Sequence, residues 1–396
     1  MKVITKLNAI LLIGLFISCC CKKDDDSTFN LTTEPTNDIE GNLWVQSENN
    51  FTELNLKDSQ ETNSFTTLNS FQCTEFDGKF ICSQGSHSET KTLMQKGSFN
   101  GELIWKKDYV ANSEHYYTLN AIEVHQNTVF VGHSIIDKNT YASTYYLEAL
   151  DLDTGSVNWN IEVENEIKRI TSLEGQIITE LSIGSSTLEL LSINANTGNI
   201  DHRLPFTDRI GRLIDGTSSI FVMTWNNNVI SMDNQLNFNW IFETDGTNIL
   251  GGIETENQFL FYSRDKNVYS LNKNNGSLIW QNSYLEDYPL GMSIFNNKVY
   301  ISNRKEDEIN LKIKTLDLFS GDEIDSYIHE ITEELNASST KFYFINQYLL
   351  LSKIIPSENK SNASLINITD KALLWEKELN PITYPHLIIT PSKVYK

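Results

Sequence analysis

The stretch in which side-chain type and spacing come nearest to chemistry is Asp151-Leu152-Asp153-Thr154-Gly155. Alternating carboxylates ahead of a glycine are how calcium loops begin, because a hard cation gathers about six to eight oxygens. The further acidic ligands that complete such a loop do not follow here, so the pattern reads as a turn. Seven histidines are scattered, and neither His-Glu-x-x-His nor Cys-x-x-Cys spacing occurs. No Gly-x-Ser-x-Gly elbow, Walker loop or Gly-x-Gly-x-x-Gly stands between a strand and a helix. No catalytic, cofactor-binding or metal-ligating residue is assigned.

The elements around that turn are more informative. In Tyr146–Ile161, YLEALDLDTGSVNWNI, apolar residues alternate through Leu147 and Ala149 as in a strand. Asp153-Thr154-Gly155 suits a three-residue hairpin loop closed by a residue at positive φ, which glycine adopts at least cost. Val157 and Trp159 then share one face of the return strand, where an indole buries a large apolar area. An isolated hairpin is marginal in water. Such a unit needs neighbours of its own kind.

Those neighbours are present. Taking the turn glycine as reference, units stand at Gly101, Gly155, Gly198, Gly276 and Gly321. A tryptophan follows four residues later at Trp105, Trp159 and Trp280, and His202 and Asp325 replace it in the other two. Two units lack the glycine and keep the tryptophan, DNQLNFNW ending at Trp240 and ITDKALLW ending at Trp375. Six residues before the glycine a small side chain precedes an aliphatic one, as in Ala149-Leu150, Ser192-Ile193, Ser270-Leu271 and Thr315-Leu316. Apolar runs such as Thr128–Gly132, Ser219–Thr224 and Gln258–Tyr262 each follow a short polar turn. The spacing between units is that of a four-stranded propeller blade, and no helical periodicity is sustained.

From Leu68 onward this pattern resembles the PQQ-type β-propeller repeat, found in quinoprotein dehydrogenases and in the lipoprotein assembly factor of the outer-membrane β-barrel machinery. The resemblance implies an all-β single propeller over residues 41–396. Seven units run from Leu68 to Trp375. Pro385–Tyr395 supplies only the first strands of another, and Gly41–Ser47 with Trp44 resembles a final strand. Joined, they make an eighth, composite blade that removes exposed strand edges. Eight blades are expected, with seven as the alternative. The quinone enzymes of this resemblance use a catalytic Asp and a ring of two adjacent cysteines. The adjacent cysteines here, Cys19, Cys20 and Cys21, lie in the leader, so no cofactor and no catalysis are expected.

Residues 1–18 carry Lys2 and Lys6 and then an apolar run from Leu7 of about a dozen residues, short of the ~20 that span a bilayer. Phe16-Ile17-Ser18-Cys19 resembles the bacterial lipobox, which implies lipidation of Cys19. Lys22-Lys23-Asp24-Asp25-Asp26 resembles the export tag of surface-displayed Bacteroidetes lipoproteins, and residues 19–40 read as a flexible tether. The net charge of −21 repels phosphate backbones and argues against nucleic-acid binding. Beyond the leader only Cys73 and Cys82 remain, in CTEFDGKFIC. The Asp77-Gly78 turn sets them opposite each other, at a separation a disulfide tolerates in an oxidising compartment.

The expectation is a non-catalytic, lipid-anchored outer-membrane propeller that binds envelope proteins, the β-barrel assembly machinery among them. The alternative is a surface lipoprotein that captures glycan or peptide for an outer-membrane transporter. A quinone-dependent enzyme is the third reading.

Overall fold

The computed structural model describes residues 42–47, 50–66, 72–76, 79–84, 90–97, 102–244, 248–283, 288–304, 310–329, 340–355, 360–379 and 386–390. Residues 1–41, including Cys19 and the tether, and the side chains of Trp44, Cys73 and Cys82 lie outside the described residues, as does Gly101. The described residues form 32 strands in eight four-stranded antiparallel sheets. Blade 1 comprises β4–β7 (Gln72–Val110), blade 2 β8–β11 (His115–Val163), blade 3 β12–β15 (Glu166–Pro205) and blade 4 β16–β19 (Ile210–Glu243). Blade 5 comprises β20–β23 (Ile249–Ser283), blade 6 β24–β27 (Tyr288–His329) and blade 7 β28–β31 (Thr340–Leu379). The first strand of each sheet lies innermost, against the first strand of a neighbour. Successive sheets stack face to face over apolar side chains, so the core is a ring of interfaces.

Blade 8 is composite, as the sequence predicts, but its strands are shared differently. The order is β3 (Glu61–Thr66), β2 (Asn50–Asn55), β1 (Asn42–Ser47), β32 (His386–Thr390). The C-terminal segment gives one strand and the N-terminal segment three, so Trp44 lies on the second strand of the blade and not on the final one. The missed third and fourth strands carry a disguised copy of the repeat. Ser59 at φ +59° stands where five other units have glycine, and Asn63 pairs with Glu53 where Trp159, Trp240 and Trp280 pair with Ala149, Ser231 and Ser270.

The Gly turn is also longer than expected. Between β10 (Ser143–Asp151) and β11 (Val157–Val163) the loop covers residues 152–156. The Gly155 N–H donates to the Asp151 carbonyl at 2.8 Å, and the Asp151 N–H donates to Ser156 O at 2.8 Å. The Asp151 carboxylate caps the loop by accepting from the Thr154 N–H at 2.8 Å and from its hydroxyl at 2.8 Å. A bulge between Ala149 and Leu150 precedes it, and bulges recur at Ser192/Ile193, Ser231/Met232, Ser270/Leu271 and Thr315/Leu316.

In three units a small residue faces the tryptophan of its own blade, Ala149 facing Trp159, Ser231 facing Trp240 and Ser270 facing Trp280, whereas Trp105 faces Gln95 and Trp375 faces Leu365. The ring itself docks on the next blade. Trp105 Nε1 donates to Leu152 O at 2.8 Å, Trp159 to Ala195 O at 2.9 Å, Trp240 to Lys273 O at 2.7 Å and Trp280 to Leu318 O at 2.9 Å. A Cβ on Gly155, Gly198, Gly276 or Gly321 would come within 3 Å of the indole concerned. The turn glycine thus answers two demands, a positive φ of about 70° and the close approach of a ring. At two joints where the tryptophan is lost, the next blade also lacks the glycine. After His202 comes Leu236, buried in the apolar interface at φ +64°, and after Asp325 comes Lys371, whose ammonium pairs with the Asp325 carboxylate at 2.9 Å. Trp375 closes the ring by donating to Leu56 O at 2.7 Å.

Candidate functional site

Five of the eight inner strands share a bulge, between Leu119 and Ala121, Ile167 and Arg169, Ile210 and Arg212, Ile249 and Gly251, and Pro289 and Gly291. Arg169 on β12 (Glu166–Leu173) and Arg212 on β16 (Ile210–Asp215) therefore occupy one position of the repeat. Their surroundings differ. Arg169 is paired with Glu180 and donates to Gly211 O at 3.1 Å, tying blade 3 to blade 4. Glu180 also accepts from the Thr187 hydroxyl at 2.9 Å, and that hydroxyl accepts from the Ile210 N–H at 3.1 Å. Arg212 has Met223 as its cross-strand partner in place of Glu180, and it is exposed. On the same blade the guanidinium of Arg209 lies 3.9 Å from the centre of the Trp225 ring.

At the rim where the inner strands end, carboxylates collect. Glu123 on β8 (His115–His125) is pushed up to about 7, first by burial and then by Asp215. His125 is lowered by burial, against the pull of Asp215, and its Nδ1 lies 2.9 Å from the Ser172 hydroxyl. Glu254 accepts from the Thr217 N–H at 2.6 Å and pairs with Lys273 at 3.1 Å. Among the described residues no group of three or more His, Cys, Asp or Glu is placed to hold a metal ion.

A third cluster is sealed between blades 1 and 2. Glu148 on β10 accepts from Lys107 at 2.7 Å and from the Tyr109 hydroxyl at 2.5 Å, both on β7 (Leu103–Val110). His133 on β9 (Thr128–Asp137) stacks on Tyr146 at 5.3 Å and lies 5.0 Å from Tyr109. Burial lowers its pKa to about 4, and neither ring nitrogen has a hydrogen-bond partner. Burial and Glu148 together hold the Tyr109 phenol far above its ordinary range.

The residues singled out in the sequence are scaffold. Trp105, Trp159, Trp240, Trp280 and Trp375, with Gly155, Gly198, Gly276 and Gly321, hold blade to blade and do not converge on a ligand site. Cys73 and Cys82 are Cα partners across β4 (Gln72–Phe76) and β5 (Lys79–Gln84), the register that the Asp77-Gly78 turn predicts. Sequence reasoning passed over both rims. The available signal was Trp225, a tryptophan that stands outside the repeat position.

Eight antiparallel blades, with indoles docked on glycine turns, define a PQQ-like repeat β-propeller. The family model described as outer membrane protein assembly factor BamB matches residues 75–282, more than half of the chain, and the chain belongs to that family. No curated protein sequence matches it. Among solved structures, BamB from Moraxella catarrhalis is similar with a TM-score of 0.51 and 12% identity, over 78% of this chain and 88% of that one. The dihydro-heme d1 dehydrogenase NirN, in complex with DHE, is similar with a TM-score of 0.62 and 12% identity, over 92% of this chain and 79% of that one. The computationally designed Ika8 protein gives 0.55 and 11%, over 79% and 93%. At these identities the structural likeness concerns the fold.

Proposed function

We propose that this protein is a non-catalytic propeller of the cell envelope, held at the outer membrane through a lipid on Cys19, that binds other envelope proteins through its rims. The observation that carries the reading is the match of residues 75–282 to the outer membrane protein assembly factor family. The leader and Phe16-Ile17-Ser18-Cys19 support the anchor, and residues 19–40 supply the tether. The partner is then a component of the β-barrel assembly machinery. Mild crosslinking in living cells, purification through this protein and mass spectrometry test this directly. Recovery of assembly components supports the scaffold. Recovery of an outer-membrane transporter with surface lipoproteins overturns it in favour of ligand capture, the reading favoured by Lys23-Asp24-Asp25.

The same location makes Cys73–Cys82 a disulfide, since their strands already oppose them. The intact mass should rise by about 2 Da on reduction. An unchanged mass would refute the bond.

A further inference from the structure

We propose that Trp225, Arg209 and Arg212, on the rim where the inner strands of blades 3 and 4 begin, anchor an acidic segment of a partner protein. The proposal rests on the protein-binding reading and names the chemistry of one docking place.

The repeat does not account for Trp225. The indole N–H groups of Trp105, Trp159, Trp240, Trp280 and Trp375 are all spent on a carbonyl of the next blade. Trp225 is 46% exposed, and its indole N–H has no acceptor among the described residues. It is not a stray side chain. Its backbone N–H donates to Arg209 O at 2.9 Å, and a Cβ at Gly211 would come to 3.4 Å from its Nε1. Backbone and close packing therefore set the ring in place before any partner arrives.

The charges around it are equally out of keeping with the rest of the chain. In a protein of net charge −21 with six arginines, carboxylates are plentiful as partners. Arg203 takes two, Glu164 and Glu189, and Arg169 takes Glu180. Arg212 occupies the repeat position of Arg169, but Met223 stands where the carboxylate would be. Arg209 lies over the indole, while the neighbouring Asp208 carboxylate accepts from Asn226 at 2.7 Å. Among the described residues neither Arg209 nor Arg212 has an ion-pair partner, and the Arg209 guanidinium lies against the exposed indole.

That set matches a carboxylate-rich ligand. A guanidinium presents a planar fork that fits a carboxylate in two hydrogen bonds, and Trp and Arg are the side chains most enriched where interface energy concentrates. The overall charge sharpens the choice. An acidic segment is repelled by most of this surface, so a local cationic place fixes where it docks.

The test uses the full chain and a fluorescein-labelled random copolymer of Glu and Tyr, read by fluorescence anisotropy. Binding is expected, weakening as salt rises. Arg209→Glu with Arg212→Glu should cut affinity by at least about tenfold and Trp225→Ala by about fivefold. Lys57→Glu, on the opposite rim, should leave it unchanged. Absence of binding to the wild type, or undiminished binding to the double variant with an unchanged melting temperature, overturns the proposal. A photo-crosslinker in living cells separates this from the scaffold reading. Capture of envelope proteins from other rim positions, with none at position 225, overturns this docking place alone. Capture from no position overturns the scaffold as well.

Discussion

The interface between blades 1 and 2 and that between blades 2 and 3 are built on the same four positions of the repeat, filled in opposite ways. Two and four residues after the tryptophan come Lys107 and Tyr109 in one, Ile161 and Val163 in the other. Before the small residue stand Glu148 and Leu191, and on the second strand His133 and Leu181. One interface holds a buried carboxylate, a phenol, an ammonium and an imidazole. Its neighbour is wholly apolar at those sites. The backbone and the docked indole are common to both, so blade packing tolerates either chemistry provided each set is internally consistent.

Mixing the two sets should have the largest effect. Leu191→Glu puts a carboxylate into an apolar site with no donor, and urea unfolding should show a loss above about 4 kcal/mol. Glu148→Leu removes the acceptor from Lys107 and Tyr109 and should cost about 3 kcal/mol, much of it regained when Lys107→Ile is added. Additive losses in that double-mutant cycle would show that the cluster does not act as a unit.

The shared indole predicts equality next. Trp105→Ala and Trp159→Ala should each cost about 3–5 kcal/mol, because each empties a docking place over a glycine. A difference of more than about 2 kcal/mol between them would mean that the neighbouring polar or apolar filling governs the joint.

Only the polar interface should respond to acid. The unfolded His133 takes a proton near pH 6.5, whereas the folded ring stays neutral down to about 4 because it is buried. Its share of stability is complete above about pH 6.5 and falls as the pH drops to 4, by about 3 kcal/mol in all. His133→Leu should flatten stability in that window. Glu123 has the opposite sign. Unfolded it ionises near 4.5, and folded it keeps its proton to about 7. Stability is therefore lost as the pH rises between those values, and Glu123→Gln should remove that slope. Denaturation midpoints across pH 4–8 measure both.

The smallest effect belongs to the joint between blades 6 and 7, where the exposed Asp325–Lys371 pair replaces ring and glycine. Asp325→Ala should change stability by less than about 1 kcal/mol.

The fold was legible because tryptophan and glycine recur at a fixed offset and each has a physical reason to do so. The third and fourth strands of blade 8 escaped because Ser59 takes the positive φ without being glycine, and Asn63 stands where tryptophan marks other units. The rims were illegible for another reason. That Arg169 and Arg212 are equivalents with different partners follows from strand register and an inserted bulge residue, and neither shows in a linear pattern. The polar cluster of blades 1 and 2 joins side chains more than 35 residues apart, as in the contact of Tyr109 with Glu148.

The place of β1 inside its sheet has a mechanical consequence. Ladders hold it on both sides, to β2 from Asn42 to Ser47 and to β32 from Asn42 to Gln46. A pull on the chain ahead of Asn42, directed along the strand, loads these hydrogen bonds together in shear. It does not open them one at a time, as peeling an outermost strand would. The ring therefore resists being torn open by tension on its leading end, whatever that end is fastened to.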